Sequence, residues 1–211
     1  MMAPEPVPDR RGPIPAMYTL HGTVKSRTLR PLWLLEELEL PYAFVRAEPR
    51  SAEVQALSGQ GRIPVLETPE GVILDSVAQM TFLADRHGGF THPAGSHARA
   101  RQDALTNTIL ETFDAVLWSY AKHAFVLPPE QRVEAVKPSL RWQFARNSAA
   151  MGEMLGDGPY LMGEAPTVPD ILLAHCSGWA AGLDFEVDAR VRDHMTKMRA
   201  RPAFRRALAH G

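Results

Sequence analysis

Proline at position 64 is the residue that most constrains how this chain can fold. It interrupts an apolar, strand-like run over residues 63–66. Because proline has no N–H to donate, it is confined to the start, the edge or a bend of a strand. The bond before it is usually trans and can also be cis, and the residues alone leave both open. Pro64 must therefore lie at the start of a strand, on an edge strand or at a bend.

The next residues continue this stretch into a second strand and a helix. A Pro-Glu-Gly turn lies at 69–71, where proline presets φ and glycine accepts a positive φ. A short strand is predicted at 72–74. Asp75 ends it and a helix begins at Ser76, which has the spacing of a reciprocal capping box with Gln79.

The composition excludes several classes of protein. The chain has 211 residues, of which 45% are hydrophobic and 22% charged, as is typical of a soluble globular protein. A net charge of −1 gives no electrostatic reason to expect nucleic acid or an anionic membrane as partner. No apolar run reaches membrane-spanning length. A single cysteine indicates a reducing, cytoplasmic location or simply no need for a disulfide.

Residues 17–88 alternate between strand and helix patterns, which predicts an α/β domain of small size. The predicted order is strand 17–21, helix 28–38, strand 42–45, short helix 51–57, the two strands around the Pro-Glu-Gly turn, and helix 76–87. Pro31 fits the first helix if Thr28 is its N-cap. The proline-rich residues 1–16 lack the apolar centre of a secretory signal, and we expect a disordered extension there.

The composition changes after the last of these helices. Residues 89–97 are predicted to be a linker, and 98–211 show no strand pattern. The helices expected there are 98–123, 129–155, 171–181, 189–200 and 202–209. Pro138 is expected to kink the second of them. Thr167 and Asp170 are spaced to cap a helix that is apolar nearly all round, which predicts the buried centre of an all-α domain.

Four segments in this order resemble the cytosolic glutathione S-transferase family: LHGTVKSRTLRPLWLLEELELPY, GRIPVLE, LDSVAQMTFLADRHG and PYLMGEAPTVPDILLAH. The resemblance extends over residues 17–209. It implies an α/β thioredoxin-like N-terminal domain over 17–88 that binds glutathione, and an all-α helical-bundle C-terminal domain over 98–211 that forms the second-substrate pocket. It also implies a cis proline at Pro64 and a homodimer.

By this resemblance, glutathione would lie along the stretch around Pro64. The backbone of Ile63 would pair with the cysteinyl part, as an exposed strand edge can do. Asp75 would take the γ-glutamyl amine, and Ser76 with the free N–H groups of its helix would take the adjacent carboxylate. Arg62 would take the glycyl carboxylate. In isolation, the residues favour an ordinary N-cap at Ser76 and, at Asp75, an acid that suits the helix dipole; the four-segment pattern favours the ligand roles.

Catalysis would need the glutathione sulfur as thiolate, because the thiolate is the nucleophile. Lowering a thiol pKa by about two units takes roughly 2.7 kcal/mol. A helix N-terminus and one hydrogen bond to the sulfur can supply this without a metal or other cofactor, glutathione itself being the co-substrate. Thr23 and Ser26 follow the first strand, where the thioredoxin Cys-x-x-Cys would stand. The resemblance implies that Thr23, then Ser26, is the catalytic hydroxyl; alternatively, both only cap the first helix.

The second substrate would be apolar if Trp118, Tyr120 and Phe125 line its pocket, with Trp142 as a further contributor. Aromatic residues on a helix are more often part of a core. Cys176 is most simply a small buried apolar residue. The eight histidines show no zinc-like spacing.

The function expected is therefore conjugation of the glutathione thiolate to small hydrophobic electrophiles. Two alternatives stay open at this point. One is a glutathione-dependent isomerase, peroxidase or dehalogenase on the same fold. The other is a non-catalytic glutathione-binding or scaffold protein.

Overall fold

The computed structural model describes residues 17–211, so the predicted extension over 1–16 lies outside the described residues. The strands and α-helices are β1 (Tyr18–Gly22), α1 (Leu29–Glu37), β2 (Tyr42–Arg46), α2 (Ala52–Ser58), β3 (Val65–Thr68), β4 (Gly71–Leu74), α3 (Ser76–His87), α4 (His97–Ile109), α5 (Ala115–Ala121), α6 (Lys137–Met154), α7 (Val168–Ala181), α8 (Ala189–Arg199) and α9 (Pro202–Leu208). Two π-helical segments, Leu110–Asp114 and Lys122–Val126, join α4 to α5 and extend α5.

The four strands form one mixed sheet in the order β2-β1-β3-β4. β1 and β2 are parallel, so a crossover through α1 connects them. β3 is antiparallel to both β1 and β4. After β4 the described chain contains helices and loops. The predicted class, a thioredoxin-like α/β region followed by an all-helical region, is confirmed.

One apolar core joins the two regions. On α1, Leu32 and Trp33 are fully buried in a cluster that also includes Ile171 of α7 and Phe204 of α9. The rings of Trp33 and Phe204 lie 4.6 Å apart, centroid to centroid. This packing fixes α1, which begins beside the predicted sulfur site, against the helical region. The predicted domain boundary near residues 89–97 stays a prediction, because one apolar core extends across it.

The start of α7 has the capping box that the sequence predicts. Asp170 is fully buried and accepts from the N–H of Thr167 at 2.7 Å. Its Oδ1 accepts from the N–H of Leu161 at 2.8 Å, and Nε2 of His194 lies 2.8 Å from the same oxygen. α7 is buried along most of its length, as its apolar character predicts.

The expected capping box at Ser76 and Gln79 is wrong. The N-cap of α3 is Asp75, whose Oδ1 accepts from the N–H groups of Val77 and Ala78 at 2.8 and 3.0 Å. Because the helix begins one residue earlier than a Ser76 cap requires, Ser76 is its first residue and the Ser76 hydroxyl is not the cap.

The helix expected over 129–155 is also wrong at its start. Two short 3₁₀ turns, Pro129–Gln131 and Glu134–Val136, precede α6. Pro138 lies in the first turn of α6 rather than inside a longer helix. The N–H groups of a first turn have no intrahelical partner, so a proline there causes no kink.

Candidate functional site

The turn between β1 and α1 carries both predicted catalytic hydroxyls. Ser26 Oγ donates to the carbonyl of Thr23 at 2.7 Å and accepts from the N–H of Thr28 at 3.1 Å. The single hydroxyl proton of Ser26 is therefore used inside the turn. Within the described residues the Thr23 hydroxyl makes no hydrogen bond. Thr23 also lines a cavity of about 220 Å³, together with Lys25 and Arg46.

The Ile63–Pro64 bond is cis. The ladder between β1 and β3 begins at Val65, opposite His21, so Ile63 lies outside it. The side chain of Gln79 donates to the carbonyl of Pro64 at 3.2 Å and to that of Ile73 at 2.8 Å. Gln79 therefore ties the proline bend to α3, a role that the sequence pattern did not reveal.

Asp75 and Ser76 lie side by side at the start of α3 but differ in exposure. Asp75 is exposed, has a positive φ of 70°, and caps the N–H groups of Val77 and Ala78. The first N–H groups of a helix have no intrahelical partner, and capping these two leaves the N–H of Ser76. The Ser76 side chain is buried, at 2% exposure. The position thus presents an exposed acceptor beside a buried pair of donors.

Arg30 lies behind Ser76 and is 1% exposed. Its Nη1 donates to Ser76 Oγ at 3.2 Å, its Nε to Nδ1 of His175 at 3.2 Å, and its Nη2 to Asp114. Sequence reasoning missed this residue. The available signal was a basic residue within the apolar stretch 29–35 of α1.

Asp114 connects this arrangement to the helical region. It lies in the π-helical segment after α4 and accepts from Nε and Nη2 of Arg27 at 3.0 and 2.6 Å, as well as from Arg30. Burial alone would raise the pKa of Asp114, but the charges and hydrogen bonds of Arg30 and Arg27 outweigh it and lower the pKa to about 2. Asp114 is therefore ionised at neutral pH.

Two further groups contact Arg30 and are uncharged at neutral pH. Burial, with the charge of Arg30, holds the pKa of His175 well below its ordinary value. Burial raises the pKa of Cys176 to about 12. A thiol with so high a pKa is not a nucleophile at neutral pH, and Cys176 is buried as expected.

The aromatic residues predicted to line the second-substrate pocket have different surroundings. Trp118, 38% exposed, packs on the Arg27 guanidinium, which lies 5.1 Å from its ring centroid. Tyr120 instead stacks edge-on against Phe185 in the helical core. Phe125 is 56% exposed. Of the three, Trp118 alone contacts a residue of the turn before α1.

The fourth aromatic residue, Trp142, is 64% exposed on α6 and stacks with Arg146. Arg62 is exposed. Among the described side chains, no group of three His, Cys, Asp or Glu residues is arranged to hold a metal ion. None of the described helices combines the length and apolar character needed to cross a bilayer.

Residues 26–86 match the family model described as the glutathione S-transferase N-terminal domain. A glutathione transferase from Methylococcus capsulatus strain Bath is 22% identical, with a TM-score of 0.78 over 92% of this chain and 98% of that chain. The glutathione transferase URE2P8 from Phanerochaete chrysosporium, solved with oxidized glutathione, is 18% identical, with a TM-score of 0.81 over 94% of this chain and 96% of that chain.

A third similar structure is Ure2p5 from the same fungus, cocrystallized with 1-(S-glutathionyl)-2,4-dinitrobenzene. It is 17% identical, with a TM-score of 0.79 over 92% of this chain and 94% of that chain. No curated protein sequence gives a match. Residues 26–86 thus match the glutathione S-transferase N-terminal domain in sequence, and nearly the whole chain shares the fold of these solved glutathione transferases.

Proposed function

We propose that this protein is a glutathione transferase that conjugates the glutathione thiolate to small hydrophobic electrophiles. The observation that carries the proposal is the start of α3, where the exposed carboxylate of Asp75 lies beside the buried donors of Ser76. The γ-glutamyl end of glutathione has an ammonium and a carboxylate on one carbon. An acceptor and a pair of donors side by side complement those two groups.

The remainder of glutathione would extend away from α3 along the proline bend. The backbone of Ile63, outside the β-ladder, would pair with the cysteinyl unit beside cis Pro64. Exposed Arg62 would take the glycyl carboxylate. For the sulfur we propose Thr23, because its hydroxyl is unused whereas the proton of Ser26 is already donated.

For the second substrate we propose an aromatic electrophile bound near Trp118. The support is that Trp118 is partly exposed and adjoins the turn before α1, through Arg27. Tyr120 and Phe125 receive no such support from their contacts. The conjugate bound by Ure2p5, a dinitrophenyl thioether of glutathione, is the product of this class of reaction.

The test is glutathione-dependent turnover of a 2,4-dinitrophenyl halide by the native chain and by Ser76→Ala. Ser177→Ala is the matched control, because Ser177 is also a buried serine but lies on α7, and its hydroxyl has no partner among residues 17–211. We expect a higher KM for glutathione in Ser76→Ala and an unchanged KM in the control. Full activity in Ser76→Ala would remove its assigned role. Retention on immobilised glutathione without turnover of any electrophile would indicate a non-catalytic binding protein.

We also propose a cytoplasmic homodimer, as is usual in the family. Sedimentation at micromolar concentration tests the assembly. A species of twice the 23.3 kDa chain mass is expected, and a monomer alone would refute the dimer.

A further inference from the structure

The charges behind the start of α3 do not balance. Arg27 and Arg30 share the single carboxylate of Asp114. His175 is neutral, because its Nδ1 accepts a hydrogen bond from Arg30 and an imidazolium has no free lone pair. The charged groups that act on Asp114 and His175 are these two arginines and Asp114 itself. One positive charge is therefore left over in a cluster in which the Arg30 side chain is 1% exposed and the Arg27 side chain is 30% exposed.

Arg30 also determines which way the Ser76 hydroxyl can donate. Because Nη1 of Arg30 donates to Ser76 Oγ, the hydroxyl proton must point elsewhere. Within the described residues it finds no acceptor, although Ser76 is 2% exposed. Buried donors are nearly always satisfied. An unused buried proton beside an unbalanced positive charge indicates that the missing partner is an anion.

Asp75 does not supply that anion. Its side chain is exposed to solvent, and its Oδ1 is held by the N–H groups of Val77 and Ala78. It is therefore better placed to meet a ligand cation than to neutralise the buried cluster.

We infer that Arg30 is the positioning residue for the γ-glutamyl carboxylate, an inference that rests on the proposed function. Arg30 orients the Ser76 hydroxyl as a donor and supplies the charge that the carboxylate balances. It acts through Ser76, because its Nη1 donates to Ser76 Oγ. Its link to Asp114 makes the helical region part of the glutathione site.

The test compares Arg30→Met with Arg30→Lys. Both variants lose the guanidinium fork and have similar volumes, but only the lysine keeps the charge. Calorimetric titration would use glutathione and 4-aminobutanoyl-cysteinyl-glycine, which lacks only the α-carboxylate. We expect the Kd for glutathione to be at least about tenfold higher in Arg30→Met than in Arg30→Lys, the scale of one hydrogen bond to a charged group. The two variants should bind the truncated tripeptide equally. Equal glutathione affinities, or equal losses for both ligands, would overturn the inference.

Asp114→Asn gives an independent readout of opposite sign, which holds even if neither Arg30 variant folds. It keeps the shape of Asp114 and leaves the cluster with one more positive charge. We expect glutathione to bind at least about twofold more tightly, the lower bound for one charge within roughly 8 Å in a water-like medium. The truncated tripeptide should bind unchanged. A structural role alone predicts weaker binding, and that result would contradict the inference.

The native chain separates the two proposals. If it binds neither ligand, the proposed function itself fails. The other outcome is that the native chain binds glutathione and that the three variants bind it as tightly as the native chain does. In that case the inference about Arg30 fails and the proposed function stands.

Discussion

The Nε–H of Arg30 donates to Nδ1 of His175 across 3.2 Å, so a buried guanidinium and an imidazole share one hydrogen bond. This contact requires neutral His175 with its proton on Nε2, which lies 3.3 Å from the carbonyl of Ser26. Protonation of Nδ1 would break the bond and bring two cations into contact. The turn that carries the predicted sulfur site therefore depends on an uncharged histidine.

The first prediction is that stability falls as the pH drops below about 6.5, the value for an unperturbed histidine. The pKa of His175 is lowered in the folded chain, first by burial and then by Arg30. Below the unfolded pKa, the unfolded chain binds a proton that the folded chain does not, so acid favours unfolding. The slope contributed by this group reaches about 1.4 kcal/mol per pH unit. Urea unfolding at a series of pH values would measure it.

His175→Gln is the control for this slope, because glutamine can accept from Arg30 but does not titrate. The pKa of His87 is also lowered, by burial and then by Arg86, and it contributes equally to both chains. The difference in slope therefore reports His175. Identical slopes for the two chains would show that His175 is not the titrating group.

The second prediction concerns two acids that begin helices. Asp170→Ala should cost about 3–5 kcal/mol, because it leaves buried donors around Thr167 and His194 without their acceptor. Asp188→Ala should lower the unfolding free energy by only about 1 kcal/mol. Asp188 is half-buried, and its side chain acts as the N-cap of α8 by accepting from the N–H groups of Arg190 and Val191. Unfolding free energies of the two variants test this. A similar cost for both would mean that burial of Asp170 adds nothing.

Local patterns predicted much of the fold. The limits of α3 and the cap of α7 follow from residues a few positions apart, and both agree with the structure. The errors at α3 and α6 are also local. The N-cap of α3 is Asp75, one position before the predicted Ser76. Pro138 was expected to kink a longer helix, but it lies in the first turn of α6.

The site was predicted less well, because its contacts are distant in sequence. Arg30 and Ser76 are 46 positions apart, and Arg30 and Asp114 are 84 apart. Hydrophobic periodicity along the sequence does not predict contacts between residues so far apart. A buried arginine in an apolar helix face shows that a partner is needed but does not show which residue provides it. The residue-level roles at Thr23, Ile63, Asp75 and Ser76 accordingly stay predictions.

The third prediction compares two glycines with positive φ. A Cβ placed on Gly22 would lie 2.0 Å from Thr28 Oγ1, at a φ of 150°. Gly71 has a φ of 132° but no atom within 4 Å of such a Cβ. Alanine imposes similar backbone strain at both, so the difference reports the contact with Thr28. Gly22→Ala should lower the unfolding free energy by about 1–3 kcal/mol more than Gly71→Ala. Equal losses of unfolding free energy would show that the turn adjusts to relieve the contact with Thr28 at no energetic cost.

The last prediction separates the two hydroxyls beside α1. Thr23→Val keeps the shape of the side chain and removes a hydroxyl that has no partner in the described residues. If Thr23 donates to the thiolate, the pKa of bound glutathione should rise by about 1–2 units, since a hydrogen bond to a charged group contributes about 1.5–3 kcal/mol. Titration of the thiolate absorbance of the complex measures this pKa.

Ser26→Ala is the comparison for Thr23→Val. Because Ser26 Oγ bridges Thr23 and Thr28, its loss should destabilise the turn by about 1 kcal/mol and change the thiol pKa less than Thr23→Val does. A larger rise in thiol pKa for Ser26→Ala would reverse the ranking. It would also mean that the turn rearranges when glutathione binds, because both acceptors of the Ser26 proton, the Thr23 carbonyl at 2.7 Å and Thr28 Oγ1 at 2.9 Å, lie within the turn.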